Sequence, residues 1–167
     1  MPQIQADLNE LATLDITPLD TPEPELAYLF KHIVTHEVAY ESLSYARRAS
    51  LHEQLAHYLE RIDASVVTLA QHYGLSENTA KQREYFYKAA RTARKSFANQ
   101  AALEYYARLL PLLETEREQL KMLHERGELY ILIGEWEKAE GDYRDALGLA
   151  EALSDPAEML EGQLAMG

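Results

Sequence analysis

The sequence contains no cysteine, and its 167 residues include only 7 glycines and 6 prolines. The lack of cysteine excludes disulfide bonds, a thiolate nucleophile and any metal site built on thiolates. A chain with few helix-breaking residues, rich in alanine, leucine, glutamate and arginine, is typical of a helical protein. We therefore predict a mostly all-α fold, and the length allows one domain or a short run of repeats.

Long apolar stretches are also missing, since none approaches the roughly 18 residues that a membrane-spanning helix needs. The first residues, MPQIQADLNELATL, are acidic and lack the basic-then-apolar order of a signal peptide. These absences predict no membrane partner and a cytoplasmic location. The phosphate-binding pattern G-x-x-x-x-G-K-[S/T] is absent as well, so we expect no nucleotide or other cofactor.

Basic side chains are scarce relative to acidic ones, and the formal net charge is −12. This charge disfavours a nucleic-acid partner. The charge is unevenly spread along the chain. Residues 79–108 carry 7 basic and 2 acidic side chains, whereas residues 1–78 and 109–167 are strongly acidic. One basic belt therefore separates two acidic regions.

A stripe of basic side chains runs along the helix predicted in this belt. Lys88, Arg91 and Lys95 follow the i, i+3, i+7 spacing of one helical face, and Arg94 lies alongside. Two interpretations stay open: an anion-binding groove for a phosphate group, an acidic peptide or nucleic acid, or a solvated face that pairs with acidic neighbours. Tyr105 belongs to a tyrosine pair that cannot both face inward, and it joins the four cations as a candidate partner-binding residue.

Hydrophobic periodicity and turn residues predict helix after helix from residue 33 onward. The predicted helices cover residues 33–43, 45–61, 64–74, 79–96, 99–113, 116–133 and 136–153, with another that begins at Pro156. Pro111 lacks an N–H and clashes with the preceding turn, so the helix that contains it should kink or stop near Leu110. Gly74 should end one helix, and Ser76 should cap the next.

Four glycines recur every seven residues near the end of the chain. They are Gly127, Gly134, Gly141 and Gly148. We predict that Gly134 forms a turn and that the other three allow neighbouring helices to approach closely, the alternative being that they loosen the helices and let the solenoid flex. The start of the chain is less regular: Leu8, Leu11 and Leu14 share one helical face, TPLDTPEPE interrupts it, and LAYLFK favours a short strand. This order predicts the back half of a small mixed unit.

An internal repeat organises the second half of the chain. In LHERGELYILIGEWEKAEGDYRDAL, the size pattern falls on Leu123, Gly127, Tyr130, Gly134, Trp136, Ala139, Tyr143 and Ala146. The positions 37 residues earlier are Phe86, Ala90, Ala93, Phe97, Asn99, Ala102, Tyr106 and Leu109. Such a period predicts stacked helical hairpins. The pattern resembles the tetratricopeptide repeat (TPR) family, which implies a right-handed α-solenoid, although the earlier unit lacks the turn glycine.

The stretch YLFKHIVTHEVAYESLSYARRASLH has a second resemblance, to the region after the nucleotide-binding module of STAND ATPases. These are multidomain signalling ATPases, often fused to class III adenylate or guanylate cyclases. The matching residues are 30–32, 37–43 and 45–48. The resemblance implies a partial winged-helix-like segment at 1–32 and, after it, helical repeats that sense a signal or bind a partner. The P-loop is missing, so ATPase activity is not carried over.

Together these patterns predict three parts: residues 1–32, junction helices and a first hairpin at 33–78, and TPR-like repeats with an unpaired last helix at 79–167. The expected function is a non-catalytic interaction or sensor module whose partner is a protein, a peptide or another domain of the parent chain. The alternatives are a free-standing TPR adaptor or a structural spacer. A homodimer through apolar ends, including Met159 and Leu164, is a further alternative.

Two histidines lie four residues apart, at His32 and His36, and could share a metal if both were on one helix. A stable site needs three or four ligands, and a strand over residues 29–32 would remove His32 from the helix. We therefore predict no metal site. The chain also shows no serine–histidine–acid arrangement, so we expect no catalytic residues.

Overall fold

A computed structural model describes residues 2–21 and 27–153 of the chain, and it confirms the prediction of a mostly helical fold. The elements in order are α1 (Pro2–Thr13), β1 (Leu19–Thr21), β2 (Ala27–Tyr28), α2 (Ile33–Glu41), α3 (Tyr45–Arg61), α4 (Val66–Tyr73), α5 (Thr79–Lys95), α6 (Asn99–Leu109), α7 (Glu116–Leu132) and α8 (Trp136–Leu153). The helix predicted from Pro156 lies outside the described residues. None of the described helices combines the length and the apolar character needed to cross a bilayer.

The chain divides into two compact units, Met1–Arg48 and Ala49–Gly167. In the first unit, β1 and β2 pair antiparallel, with Leu19 opposite Tyr28. The predicted strand over LAYLFK is present but is limited to the two residues of β2. The structure describes every residue of α2, and none of them is buried.

Three turns in the second unit share one geometry. Asp63, Phe97 and Gly134 follow α3, α5 and α7, and their φ angles are +56°, +60° and +81°. The next residue in each case donates its N–H five residues back, in the bonds Ala64 to Leu59, Ala98 to Ala93 and Glu135 to Tyr130, at 3.0, 2.9 and 2.9 Å. This is the Schellman ending of a helix, in which a left-handed residue reverses the chain. Phe97 therefore makes the same turn as Gly134 without being glycine.

Pairs of neighbouring helices enclose the core of the second unit. Helix α5 packs on α4 and on α6, and α7 packs on α8. The largest fully buried side chains are Tyr73, Tyr106, Leu109 and Leu129. As predicted, Pro111 ends the helix before it, because α6 stops at Leu109 and a single 3-10 turn covers Leu110–Leu112.

Glu60 joins three helices through hydrogen bonds. From α3, its carboxylate accepts bonds from the Tyr73 hydroxyl of α4 at 2.7 Å and from Lys81 and Tyr85 of α5 at 2.7 and 2.6 Å. The hydrogen bond from Lys81, followed by those from the two tyrosines, lowers the pKa of Glu60 to about 2. Burial, followed by the bond to Glu60, raises the pKa of Tyr85 to about 12.

Several local predictions need correction. Ser76 does not cap α5: Asn78 does, since its side chain accepts a bond from the Lys81 N–H at 3.1 Å. Gly127 lies against Tyr143, whose ring atoms would be 3.0 Å from an added Cβ, so the predicted close approach is correct there. It is wrong for the two remaining helical glycines, Gly141 and Gly148, because nothing lies within 4 Å of a Cβ at either position.

The glycines allow a matched test of backbone geometry. Gly134→Ala should lower the free energy of unfolding by about 1 kcal/mol, because the left-handed φ disfavours a Cβ although the space is open. Gly148→Ala should raise it by up to about 1 kcal/mol, because the position is helical and equally open. Urea unfolding measures both, and equal effects of the same sign would contradict the turn assignment.

The hydrogen bonds of Glu60 with Tyr73, Lys81 and Tyr85 predict a specific pH dependence of stability. Glu60→Gln should lower the free energy of unfolding by about 1–3 kcal/mol at pH 7, because charge-assisted hydrogen bonds are lost. Since the pKa of Glu60 is lowered on folding, its contribution is full above the unfolded value of about 4.5 and disappears as the pH falls towards 2. Wild type and variant should therefore converge in acid, whereas Glu140→Gln, at an exposed ion pair, should differ little at any pH.

Candidate functional site

A groove runs between α5 and α7. It consists of two adjoining cavities of about 610 and 540 Å³, which share Tyr87 and Lys121. Three contacts cross it: Arg83 to Glu114 at 2.7 Å, Tyr87 to Glu125 at 3.1 Å and Arg94 to Glu128 at 2.7 Å. Because the residue numbers rise together on both sides, α5 and α7 run in the same direction along the groove.

The carboxylates in the larger cavity are occupied by the protein itself. Glu125 accepts hydrogen bonds from the hydroxyls of Tyr87 and Tyr106, the second at 2.9 Å. Burial, and then the bond to Glu125, raises the pKa of Tyr106 well above its usual value. Glu128 is bound by Arg94, whose pKa is raised by this bond. Both carboxylates of the cavity are therefore already hydrogen-bonded or paired with a cation of the protein.

Arg91 and Lys95 are different, since neither has a carboxylate partner among the described residues. Both are exposed and line the larger cavity. The Arg91 guanidinium lies 5.7 Å from the centre of the Tyr87 ring, and the Lys121 ammonium lies 5.3 Å from it, within range of cation–π attraction. This end of the groove therefore presents cations and an aromatic ring to solvent.

Phe97 stands beside this cationic end. Its side chain lines the larger cavity and is 82% exposed, and its backbone has the left-handed φ of +60°. A large apolar side chain gains nothing from exposure, and a left-handed φ costs a non-glycine residue roughly 1–2 kcal/mol. An exposed aromatic residue held in this way is a candidate contact for a partner.

The smaller cavity has an apolar floor. Leu109 and Met122 are buried there, and Leu113 is half-buried. The charged groups at its rim are paired, as in the ion pair of Arg83 with Glu114. From Arg83 to Lys95 the groove follows 12 residues of α5, about 18 Å at 1.5 Å per residue, which matches about five or six residues of extended peptide.

The structure brings together three of the five predicted site residues, Arg91, Arg94 and Lys95. The Lys88 ammonium instead binds Glu84 at 2.6 Å and lies over the Tyr85 ring. Tyr105 is half-buried and packs against the core near Phe86. Neither of these two lines the groove.

Sequence reasoning missed Tyr87, Phe97, Lys121 and Glu125. The signal for Phe97 was available, because it occupies the position of the turn glycine Gly134 in the repeat alignment. Lys121 follows Tyr87 by 34 residues, close to the repeat period, so the two face each other only once the hairpins are placed side by side. Nothing in the local spacing of α5 indicates that.

The histidines form no metal cluster in the described part of the chain, where no group of three or more metal-binding side chains occurs. His32 precedes α2 in extended conformation, with φ −125°, and is therefore not on the helix with His36. His52 and His72 face each other with their Nδ1 atoms 3.0 Å apart. Burial, and then the charge of His72, lowers the pKa of His52. The absence of a metal and of catalysis remains a prediction.

Stability measurements can show whether the groove cations serve the fold. Arg91→Gln and Lys95→Gln should each change the free energy of unfolding by no more than about 0.5 kcal/mol, as is usual for surface residues without partners. Arg126→Gln should cost about 3 kcal/mol, because it strands Asp142, which is 5% exposed and bonded to Arg126 at 2.8 and 2.6 Å. A loss at Arg91 or Lys95 as large as that at Arg126 would assign these cations to the fold.

A scan of protein-family profiles finds none that matches this chain, and a search of curated proteins finds no match either.

Proposed function

We propose that this chain is a protein-interaction module that binds an extended segment of a partner protein in the groove between α5 and α7. The observation that carries the proposal is the pair Arg91 and Lys95, which lack carboxylate partners among the described residues although the chain has a net charge of −12. In a chain with so many carboxylates, unpaired cations beside an exposed phenylalanine favour an acidic partner.

The proposal includes a TPR-like architecture of helical hairpins in a right-handed solenoid. Two features support it. The three Schellman turns recur at residues 63, 97 and 134, at intervals close to the sequence period. In the contacts between α3 and α5, Glu53 binds Asn78 and Glu60 binds Tyr85, so the residue numbers increase in the same direction on both helices. Helices α3 and α5 therefore run in the same direction, as α5 and α7 do. Parallel first helices of successive hairpins are what a solenoid of this kind requires.

We further propose that the module belongs to a STAND-type signalling ATPase, in which residues 1–32 would complete a winged helix and the hairpins would sense the partner. The support is the order of the matching residues at 30–32, 37–43 and 45–48 before the hairpins. In this proposal the chain itself performs no catalysis, and partner binding would be communicated to the other domains of the parent protein.

A second candidate function, a structural spacer, is favoured by one face of α3 together with Ile62, the residue that follows this helix. Leu51, Leu55, Tyr58 and Ile62 follow a spacing of four, three and four residues, and they are 40, 42, 51 and 56% exposed. This is the spacing of a coiled-coil seam. Such a face suits packing against another domain or a second copy, and it lies on a different helix from the groove.

The groove and the α3 face can be tested separately. Random peptides displayed on phage are selected on the whole chain and then tested on two double variants, Arg91→Glu with Lys95→Glu, and Lys138→Glu with Arg144→Glu on α8. The α8 pair makes the same charge change at exposed residues. We expect the selected peptides to lose binding to the first variant only.

Sedimentation of the unmodified chain completes this test. Selected peptides that bind both variants equally would refute the groove as the binding site. If no peptide is selected and the chain dimerises, with dimerisation lost in Leu55→Gln, the spacer function would replace the proposed one.

A further inference from the structure

The chemistry of the groove changes along its length, and this constrains what it can bind. At the level of Arg83 and Tyr87 the floor is apolar, formed by Leu109, Leu113 and Met122. At the level of Arg91 and Lys95 the lining is cationic. The two regions meet at Tyr87, which lines both cavities.

The charges of the apolar end are internally satisfied. Glu84 binds Lys88 at 2.6 Å and Lys81 at 3.2 Å, and Glu114 binds Arg83. Glu118 accepts hydrogen bonds from Thr115 in the capping box of α7. A ligand gains no ionic contact here, but it can bury an apolar side chain, at about 25 cal/mol per Å² removed from water.

These carboxylates also decide between classes of ligand. A nucleic acid carries a phosphate at every residue and needs cations along its whole path. In this groove the cations without partners are confined to one end, and Glu84, Glu114 and Glu118 line the other. A polyanion would find no unpaired cation at that end, whereas a peptide with a single acidic position needs none there.

The spacing of the two regions fixes the spacing within the peptide. The apolar region is centred near residue 85 of α5, and the cationic region is centred near residue 93. The two centres are separated by 8 residues of α5, or about 12 Å. An extended peptide covers this distance in about four residues at 3.3 Å each. Side chains four residues apart in an extended chain point to the same side, so both can face the groove.

We propose that the groove recognises a linear motif in which an apolar residue and an aspartate or glutamate are four positions apart in an extended segment. The apolar side chain lies on Leu113 and Met122, and the carboxylate binds Arg91 and Lys95. The residue midway between them faces Tyr87, and Phe97 covers the chain beyond the acidic position. This inference deepens the proposed function and depends on it.

The test uses the sequences of the phage peptides selected on the whole chain. Peptides whose binding depends on the groove should share an apolar and an acidic residue at this spacing. Selection on Arg91→Glu with Lys95→Glu should yield peptides that keep the apolar residue but carry lysine or arginine at the second position. Because this is a change of preference rather than a loss, misfolding of the variant cannot produce it.

A spacing series makes the test quantitative. In one selected peptide, labelled with fluorescein, the acidic residue is moved one position closer to or farther from the apolar one, which turns it to the opposite side of the extended chain. Each move should weaken binding at least about tenfold, as expected for loss of a charge-assisted contact. The affinity of the unmoved peptide should fall as salt is added.

Three outcomes would overturn the inference, and they differ in whether the proposed function survives. Groove-dependent peptides without an acidic residue, or with one at no fixed spacing, would refute the motif and leave the proposed function intact. The absence of any groove-dependent peptide would refute both. Groove-dependent binding of a fluorescent oligouridine probe, with no selected peptide, would replace the peptide with a nucleic acid.

Discussion

Carboxylates hold the helices of the second unit side by side. Glu60 accepts hydrogen bonds from two tyrosine hydroxyls and a lysine of α4 and α5. Glu125 accepts hydrogen bonds from two tyrosine hydroxyls of α5 and α6. A phenol is well suited to this role, because its ring fills the space between helices and its hydroxyl donates a hydrogen bond without adding a buried charge. This explains part of the high tyrosine content of the chain, 11 residues in 167.

The groove depends on the same interaction. Because Glu125 is bound by Tyr87 and Tyr106, and Glu128 by Arg94, the carboxylates that would otherwise pair with Arg91 and Lys95 are already engaged. The tyrosines thus leave positive charge exposed within an acidic chain. Packing between hairpins and the electrostatics of the proposed binding surface are two results of one set of contacts.

Local patterns predicted the helices well, because periodicity, caps and Pro111 act within a few residues of chain. The ends agree to within about two residues except where Pro111 ends α6 early. The groove was only partly predictable. Arg91, Arg94 and Lys95 share a helix, so their proximity follows from spacing, and the capture of Lys88 by Glu84 at i, i+4 could have been read in the same way. Tyr87 and Lys121 meet only through tertiary packing, which no local spacing encodes.

The three turns have a consequence for how helical sequences of this kind can be searched. Aspartate, phenylalanine and glycine occupy the same left-handed position after α3, α5 and α7. The backbone therefore requires a conformation and not a particular residue, and the cost of a side chain there is small enough to be tolerated twice. A search pattern that demands glycine at this position would recognise the hairpin at Gly134 and overlook the two before it, although all three reverse the chain in the same way.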